Sequence, residues 1–263
     1  MLAVYHDNLS VCAQKVRMVL DEKALAWESR YIDLMKQEHL TPEYLRLNPR
    51  GLVPVLLHDG KAIYESTIIL EYIEDSFSIH PLRPASAFER ARMRLWTKIP
   101  DDGLHVACAS ITYASAFVHQ LRQHHDPQEL ADRLSKLPDR ARAARQRQIL
   151  DLEFQAPFVK DAVLLHDRVL KEMNDALAKT PWLNGEDFSL ADIAIIPYVT
   201  RLDRLGLQGM WAERANVARW FAAMKARPSF DTAITSFGST AYDDELKKRG
   251  IDVWPQVRAL LAA

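Results

Sequence analysis

Asn48-Pro49-Arg50-Gly51-Leu52-Val53-Pro54-Val55-Leu56-Leu57 runs into His58-Asp59-Gly60-Lys61-Ala62-Ile63-Tyr64 and ends at Glu65-Ser66-Thr67-Ile68-Ile69-Leu70. The apolar run from Val53 to Leu57 has strand character. Asp59-Gly60 then suits the positive φ angles of a tight hairpin turn. Lys61 to Tyr64 returns as a second strand. Ser66 is positioned to cap a helix whose apolar face includes Ile69, Tyr72 and Ile73. Proline has no N–H for a sheet ladder, so Pro54 at the start of a strand needs a reason. A plain edge-strand proline is one. A cis Val53-Pro54 bond is another; it would turn the Val53 backbone outward to pair with an extended, peptide-like ligand.

Before this stretch, Leu2 to Tyr5 reads as a strand. Ser10 caps a helix from Val11, with Cys12, Val16, Val19 and Leu20 along one stripe. Glu28 to Ile32 reads as a strand, and Thr41-Pro42-Glu43 as a helix start. The order β-α-β, α, β-β-α over residues 1–80 predicts a thioredoxin-like α/β domain. Residues 77–88 read as a linker. Beyond it strand signals nearly stop, so residues 86–263 form an expected all-helical second domain. Glu89 to His125 reads as one long helix kinked at Pro100. Phe158 to Lys179 and Val217 to Arg227 are further helices. Ser189-Leu190-Ala191-Asp192 is a capping box opening a helix from Ile193 to Leu202, with a bend expected at Pro197. The last thirty residues read as a tail ending in a short helix.

The 263 residues carry 48% hydrophobic and 26% charged side chains and a net charge of −1. That balance gives no global attraction to nucleic acid or to an anionic membrane. No run has the length of a membrane span, and Met1 to His6 does not open a secretory signal. Two cysteines, Cys12 and Cys108, fit a reducing compartment. The expected location is the cytoplasm.

Three features carry chemistry. The Val53-Pro54 corner can hold an extended peptide. Glu65-Ser66 stands at a helix start, where free N–H groups favour a carboxylate and Glu65 can receive an ammonium group, a pairing suited to the α-amino acid end of a γ-glutamyl group. The Asp7 to Cys12 loop places Ser10 at a helix N-terminus, where a thiolate is stabilised and a hydroxyl can donate to sulfur. Each has an ordinary structural explanation when taken alone. Ser10 has a simpler role as a cap alone, and Cys12 sits on the same stripe as Val16 and Val19, as a core cysteine does.

Together, Ser10-x-Cys12-x-x-Lys15-Val16-Arg17, the Asn48 to Leu56 run and Glu65 to Ile73 resemble the cytosolic glutathione S-transferase family. Asn184 to Ala194 and Ala218 to Phe230 are similar to its later helices, so the resemblance reaches to about residue 235. It implies the glutathione transferase fold, glutathione as co-substrate, a small hydrophobic electrophile as second substrate, and a homodimer. It further implies that Val53, beside cis Pro54, pairs with the cysteinyl part of glutathione. Glu65 and Ser66 would hold the γ-glutamyl end, and His39 would stand near the glycine carboxylate. Leu52 departs from the polar residue common at its position, so no role is carried to it. Ser10 matches the catalytic serine of some classes and Cys12 the catalytic cysteine of a bacterial class; Ser10 is placed first. The stretch from Met93 to about residue 175, with Gln146 to Glu153, is more loosely similar to bacterial glutathione-dependent β-etherases. An electrophile would then lie between Ser10 and the long helix, near residues such as Trp96, Pro100, Leu104 or Tyr113. A non-catalytic binding protein of the same fold is the remaining alternative.

His119, His124 and His125 lack the spacing of three ligands on one helix face, so no metal site is expected. The arginines from Arg140 to Arg147 have no interleaved aromatics and read as a solvated helix face. Asp192 reads as a capping acid, not a catalytic one.

Overall fold

The computed structural model describes residues 1–262. Four strands form the sheet: β1 (Leu2–His6), β2 (Trp27–Tyr31), β3 (Val55–His58) and β4 (Lys61–Ile63), in the order β2-β1-β3-β4. β1 runs parallel to β2 and antiparallel to β3, and β3 is antiparallel to β4. Asp59 and Gly60 take φ of 49° and 80°, the hairpin geometry expected of Asp-Gly. α1 (Val11–Glu22), α2 (Pro42–Leu47) and α3 (Ser66–Ser76) complete this unit.

α1 is buried nearly all round. It packs on α3 within its own unit and on helices of the second unit. That is why polar Gln14, Lys15 and Arg17 are buried beside the apolar stripe. Lys23 closes the unit. Fully buried, its Nζ donates to the Phe77, Ile79 and His80 carbonyls and lies 2.7 Å from Glu74 Oε2, while Glu74 accepts from the Leu82 N–H. The linker is thereby fixed by a buried ion pair whose donors are satisfied.

The second unit comprises α4 (Ala87–Lys98), α5 (His105–Thr112), α6 (Val118–His124), α7 (Pro127–Ser135), α8 (Arg140–Leu152), α9 (Pro157–Leu177), α10 (Leu190–Arg204), α11 (Ala215–Lys225), α12 (Pro228–Ala233) and α13 (Thr240–Leu261). α4 to α6 form the expected long helix, interrupted by wide π turns at Pro100–Leu104 and Tyr113–Phe117. Pro100 lacks an N–H, and Gly103 takes φ of 131°, which an L side chain rarely adopts; together they account for the kink. α10 opens with the expected capping box. Asp192 is fully buried and accepts from the Leu183 and Ser189 N–H groups and the Trp220 indole. No helix among the described residues is long and apolar enough to cross a membrane.

Two expectations are corrected. The C-terminal tail does not end in a short helix: α13 spans 22 residues. Leu246, Gly250, Val253 and Val257 are its buried face, at helical spacing. Charged residues between them and Pro255 within them obscure the pattern. Second, Ser66 is not the cap of α3. Glu65 holds that position, without a side-chain capping bond, and Ser66 is the first helical residue.

Candidate active site

Sheet topology brings the expected site residues to one end. Tyr5 pairs with Val55 and Leu56 with Ile63, so the end of β1, the start of β3 and the end of β4 coincide. The Asp7 to Ser10 loop, the Val53-Pro54 corner and the Glu65-Ser66 start of α3 therefore share one edge of the domain. β2 ends there too, since the Ile32 N–H donates to the His6 carbonyl. That brings in the loop carrying His39.

The Val53-Pro54 peptide bond is cis. Neither the N–H nor the C=O of Val53 is paired among the described residues. Leu52, just before it, is anchored instead: its carbonyl accepts from the Tyr44 hydroxyl and the Asn48 amide, each at 2.8 Å. The polypeptide thus offers a fixed, open edge for an added strand.

Glu65 takes φ of 64° and ψ of 112°, a strained conformation for a residue with a side chain. Its carboxylate pairs with Arg50. Ser66 beside it is buried. Ser10 caps α1, its hydroxyl oxygen accepting from the Ala13 N–H at 3.3 Å. That bond uses the oxygen as acceptor and leaves the hydroxyl proton free to donate.

Cys12 is half-buried, and its stripe does not end in the core. Its Sγ lies 3.5 Å from His105 Nδ1 and 4.0 Å from the Tyr198 hydroxyl. Burial pushes the thiol up. The charges of His105 and Lys15, with hydrogen bonds from His105 and Ser66, outweigh it and bring Cys12 down to about 6. Lys15 is buried with no hydrogen-bond partner for Nζ, which sits 5.6 Å from the centre of the Tyr198 ring. Cys108, by contrast, is buried among apolar neighbours and pushed up to about 11.

His39 is buried with its Nδ1 unpartnered among the described residues. Burial, with Arg142 and Arg133 nearby, holds it down to about 4, so it is neutral at pH 7. α7 reaches over this loop: the Arg133 guanidinium donates to the Met35 carbonyl and its own carbonyl accepts from Gln37. Tyr113 is half-buried with its ring against Phe117, whereas Leu104 lies deeper, in a small cavity with His166 and Tyr198. A cleft of about 1030 Å³ lies elsewhere, between the linker and the segment before α10. Its Glu22, Asp75 and Arg227 side chains are already paired, and it carries none of these groups.

His105, Lys15 and Tyr198 were not legible as site residues. His105 and Tyr198 reach Cys12 only through the packing of the kinked helix and of α10 against α1; Lys15 stands three residues after Cys12 on α1, and its burial against Tyr198 follows from the same packing.

Comparisons with known proteins place the chain in a family. Residues 9–76 match the glutathione S-transferase N-terminal domain and residues 167–223 its C-terminal domain. Protein LigF of Sphingobium sp. strain SYK-6 is 32% identical over 265 residues, covering 94% of this chain and 97% of that protein. The chain belongs to the glutathione S-transferase family. It is an enzyme with glutathione as co-substrate. The crystal structure of β-etherase LigF superposes with a TM-score of 0.80 at 28% identity, covering 89% of this chain and 99% of that one. Glutathione transferase F7 of Populus trichocarpa follows at 0.71 and 26%, covering 91% and 100%. The tetrachloro-p-hydroquinone reductive dehalogenase of Sphingobium chlorophenolicum is 26% identical, covering 88% of this chain and 95% of that protein. The four-stranded domain followed by a helical domain is the fold of this glutathione transferase family.

Proposed function

We propose that Ser10 holds reduced glutathione as its thiolate, which attacks a small hydrophobic electrophile seated against the kinked helix. The observation that carries this reading is the shared edge: a capped helix N-terminus with a free hydroxyl proton, the unpaired Val53 backbone and the strained Glu65 before Ser66. Val53 N–H and C=O suit the cysteinyl residue of glutathione. The start of α3 suits the γ-glutamyl carboxylate, and Glu65 its ammonium group. The buried, unpartnered Nδ1 of His39, with Arg142 nearby, suits the glycine end.

Likeness to β-etherase LigF in sequence and in fold supports an aryl ether as the electrophile. The thiolate would form a C–S bond at the carbon beside a ketone while the C–O bond breaks, and the departing aryloxide would take a proton from water. Phenol release from a β-aryl ether model compound, dependent on glutathione and lost in Ser10→Ala, tests this. Release without glutathione, or unchanged in Ser10→Ala, contradicts it. Conjugation of a generic electrophile with no ether cleavage would keep the transferase and remove the etherase.

The Cys12–His105 contact supports a second activity, thiol–disulfide exchange. The Cys12 thiolate would attack the glutathione sulfur of a glutathionylated substrate, expel the substrate thiolate and keep glutathione as a mixed disulfide; a second glutathione thiolate would then attack that disulfide, restoring the Cys12 thiolate and releasing glutathione disulfide. A glutathione adduct on Cys12, read by mass spectrometry, tests it, and an unmodified Cys12 contradicts it. We further propose a domain division at 1–80 and 86–263, a cytoplasmic location, and a homodimer through the exposed Ile68, Phe88 and Leu95 of α3 and α4.

A further inference from the structure

The loop that leads to Ser10 is built so that its carbonyls point away from the open edge. Asp7 O accepts from Arg17 Nη1 at 3.2 Å, and Asn8 O from Arg17 Nη2 at 2.9 Å. Leu9 O accepts from Arg201 Nη2 at 2.6 Å, a bond reaching from α10 in the helical domain. The Asp7 carboxylate adds a bond from the Leu9 N–H, and the Asp7 carbonyl one from the Ser10 N–H. Three consecutive carbonyls are thus held by two guanidinium groups.

Both arginines are buried, and neither forms an ion pair among the described residues. A buried cation with no carboxylate partner is costly unless other groups compensate it. Arg17 spreads its donors over the Ala233 carbonyl and His6 Nδ1 as well, and stacks at 4.0 Å on Phe237. Arg201 has less. Beyond Leu9, its guanidinium faces the Phe117 ring at 6.0 Å, and Asp7 is the nearby acid. Its charge therefore lies under the same turn whose other side presents the N-terminus of α1, where an anion is favoured.

We infer that Arg201 is a positioning residue for the transferase reaction: by fixing the Leu9 carbonyl and setting an unpaired positive charge beneath the loop, it aligns Ser10 and favours the glutathione thiolate there. The role rests on the Ser10 reading above. It also gives the helical domain a hand in glutathione activation, beyond holding the electrophile. Preorganised charge and donors act most strongly on the ionised state and weakly on the neutral ligand. The effect should fall on kcat and on thiol ionisation, with little on glutathione KM.

The test compares the native protein with Arg201→Met and Arg201→Lys. The ultraviolet absorbance of the bound glutathione thiolate, taken as the difference from the same protein without glutathione so that the Cys12 thiolate is subtracted, is followed against pH, alongside kcat, KM for glutathione and the melting temperature. Arg201→Met should raise the pH midpoint of bound glutathione by about one unit and lower kcat about tenfold, with KM changed less than about twofold. Arg201→Lys, which keeps one donor and the charge, should recover most of both. An unchanged midpoint in Arg201→Met overturns the inference, as does a loss of kcat that Lys does not rescue. Should Arg201→Met fail to fold, Arg201→Lys carries the test, with a midpoint between the native value and that of free glutathione expected and a midpoint equal to that of free glutathione contradicting it. If the native protein does not ionise bound glutathione at all, the Ser10 reading itself falls, and this inference with it.

Discussion

Cys12 Sγ lies 3.5 Å from His105 Nδ1, across the interface between the thioredoxin-like domain and the helical domain. The two residues are 93 positions apart in sequence, and the kink after Pro100 brings them together. The thiol is held down to about 6 because the charges of His105 and Lys15 outweigh its burial. Cys12 is therefore largely thiolate at pH 7, while Cys108 is not. Alkylation by iodoacetamide should modify Cys12 first, with a rate that rises through a midpoint near pH 6. Removing the imidazole in His105→Ala should move that midpoint up by about one unit or more. A midpoint that stays in place would show that His105 does not set the thiol.

Acid should weaken the fold in a defined window. His6, His39 and His166 are each held down to about 4 mainly by burial, against an unfolded value of 6.5. Between those values the unfolded chain binds more protons than the native one, so stability is full above 6.5 and is lost as pH falls through 4. Melting temperatures measured from pH 8 to 4 should be flat at first and then fall below about 6.5. His166→Gln should flatten part of that fall, since His166 is buried inside the helical domain with its Nδ1 against the Ala162 carbonyl. An equally steep fall in His166→Gln would contradict the assignment.

Gly250 on α13 has no room for a side chain. A Cβ there would stand 1.7 Å from the Leu205 carbonyl oxygen. In an open helix, Gly→Ala stabilises by about 1 kcal/mol. At this position Gly250→Ala should instead cost about 3 kcal/mol, because neither backbone can give way without separating α13 from α10. Thermal or urea unfolding reads the sign directly, and a stabilised variant would contradict the packing.

Leu95 and Phe88 stand 67% and 70% exposed on α4, and Ile68 58% exposed on α3. Apolar residues this accessible on adjoining helices fit a covered face. Leu95→Glu should shift sedimentation from dimer toward monomer, with the melting temperature of the monomer little changed. A native protein that sediments as a monomer would remove the homodimer.

The sequence carried most of the fold because its signals were local. Asp59-Gly60 marks a hairpin, Thr41-Pro42 and Ser189-x-x-Asp192 mark helix starts, and the valine-proline corner adopts the expected cis bond. The site was legible only as far as order and spacing reach. Ser10, Val53, Glu65, Ser66 and His39 share an edge because strand ends coincide, which follows from the β-α-β, β-β-α order. The His105 contact with Cys12, the Arg201 contact with Leu9 and the burial of Lys15 are not legible there, because they arise from docking two domains. A lysine at helical spacing from Cys12 reads as solvated until α10 is packed against it. α13 shows the opposite failure: Leu246, Gly250, Val253 and Val257 are a readable stripe, hidden by charged neighbours and by a proline that the helix accommodates.

In the proposed reaction Ser10, and not Cys12, meets the glutathione sulfur. A crystal structure of the protein with reduced glutathione tests it most directly. The sulfur is expected within about 3.5 Å of Ser10 Oγ, with the cysteinyl backbone paired to Val53 and the γ-glutamyl carboxylate at Ser66. A sulfur beyond hydrogen-bonding range of Ser10, bonded to Cys12 or resting against it, would contradict the claim.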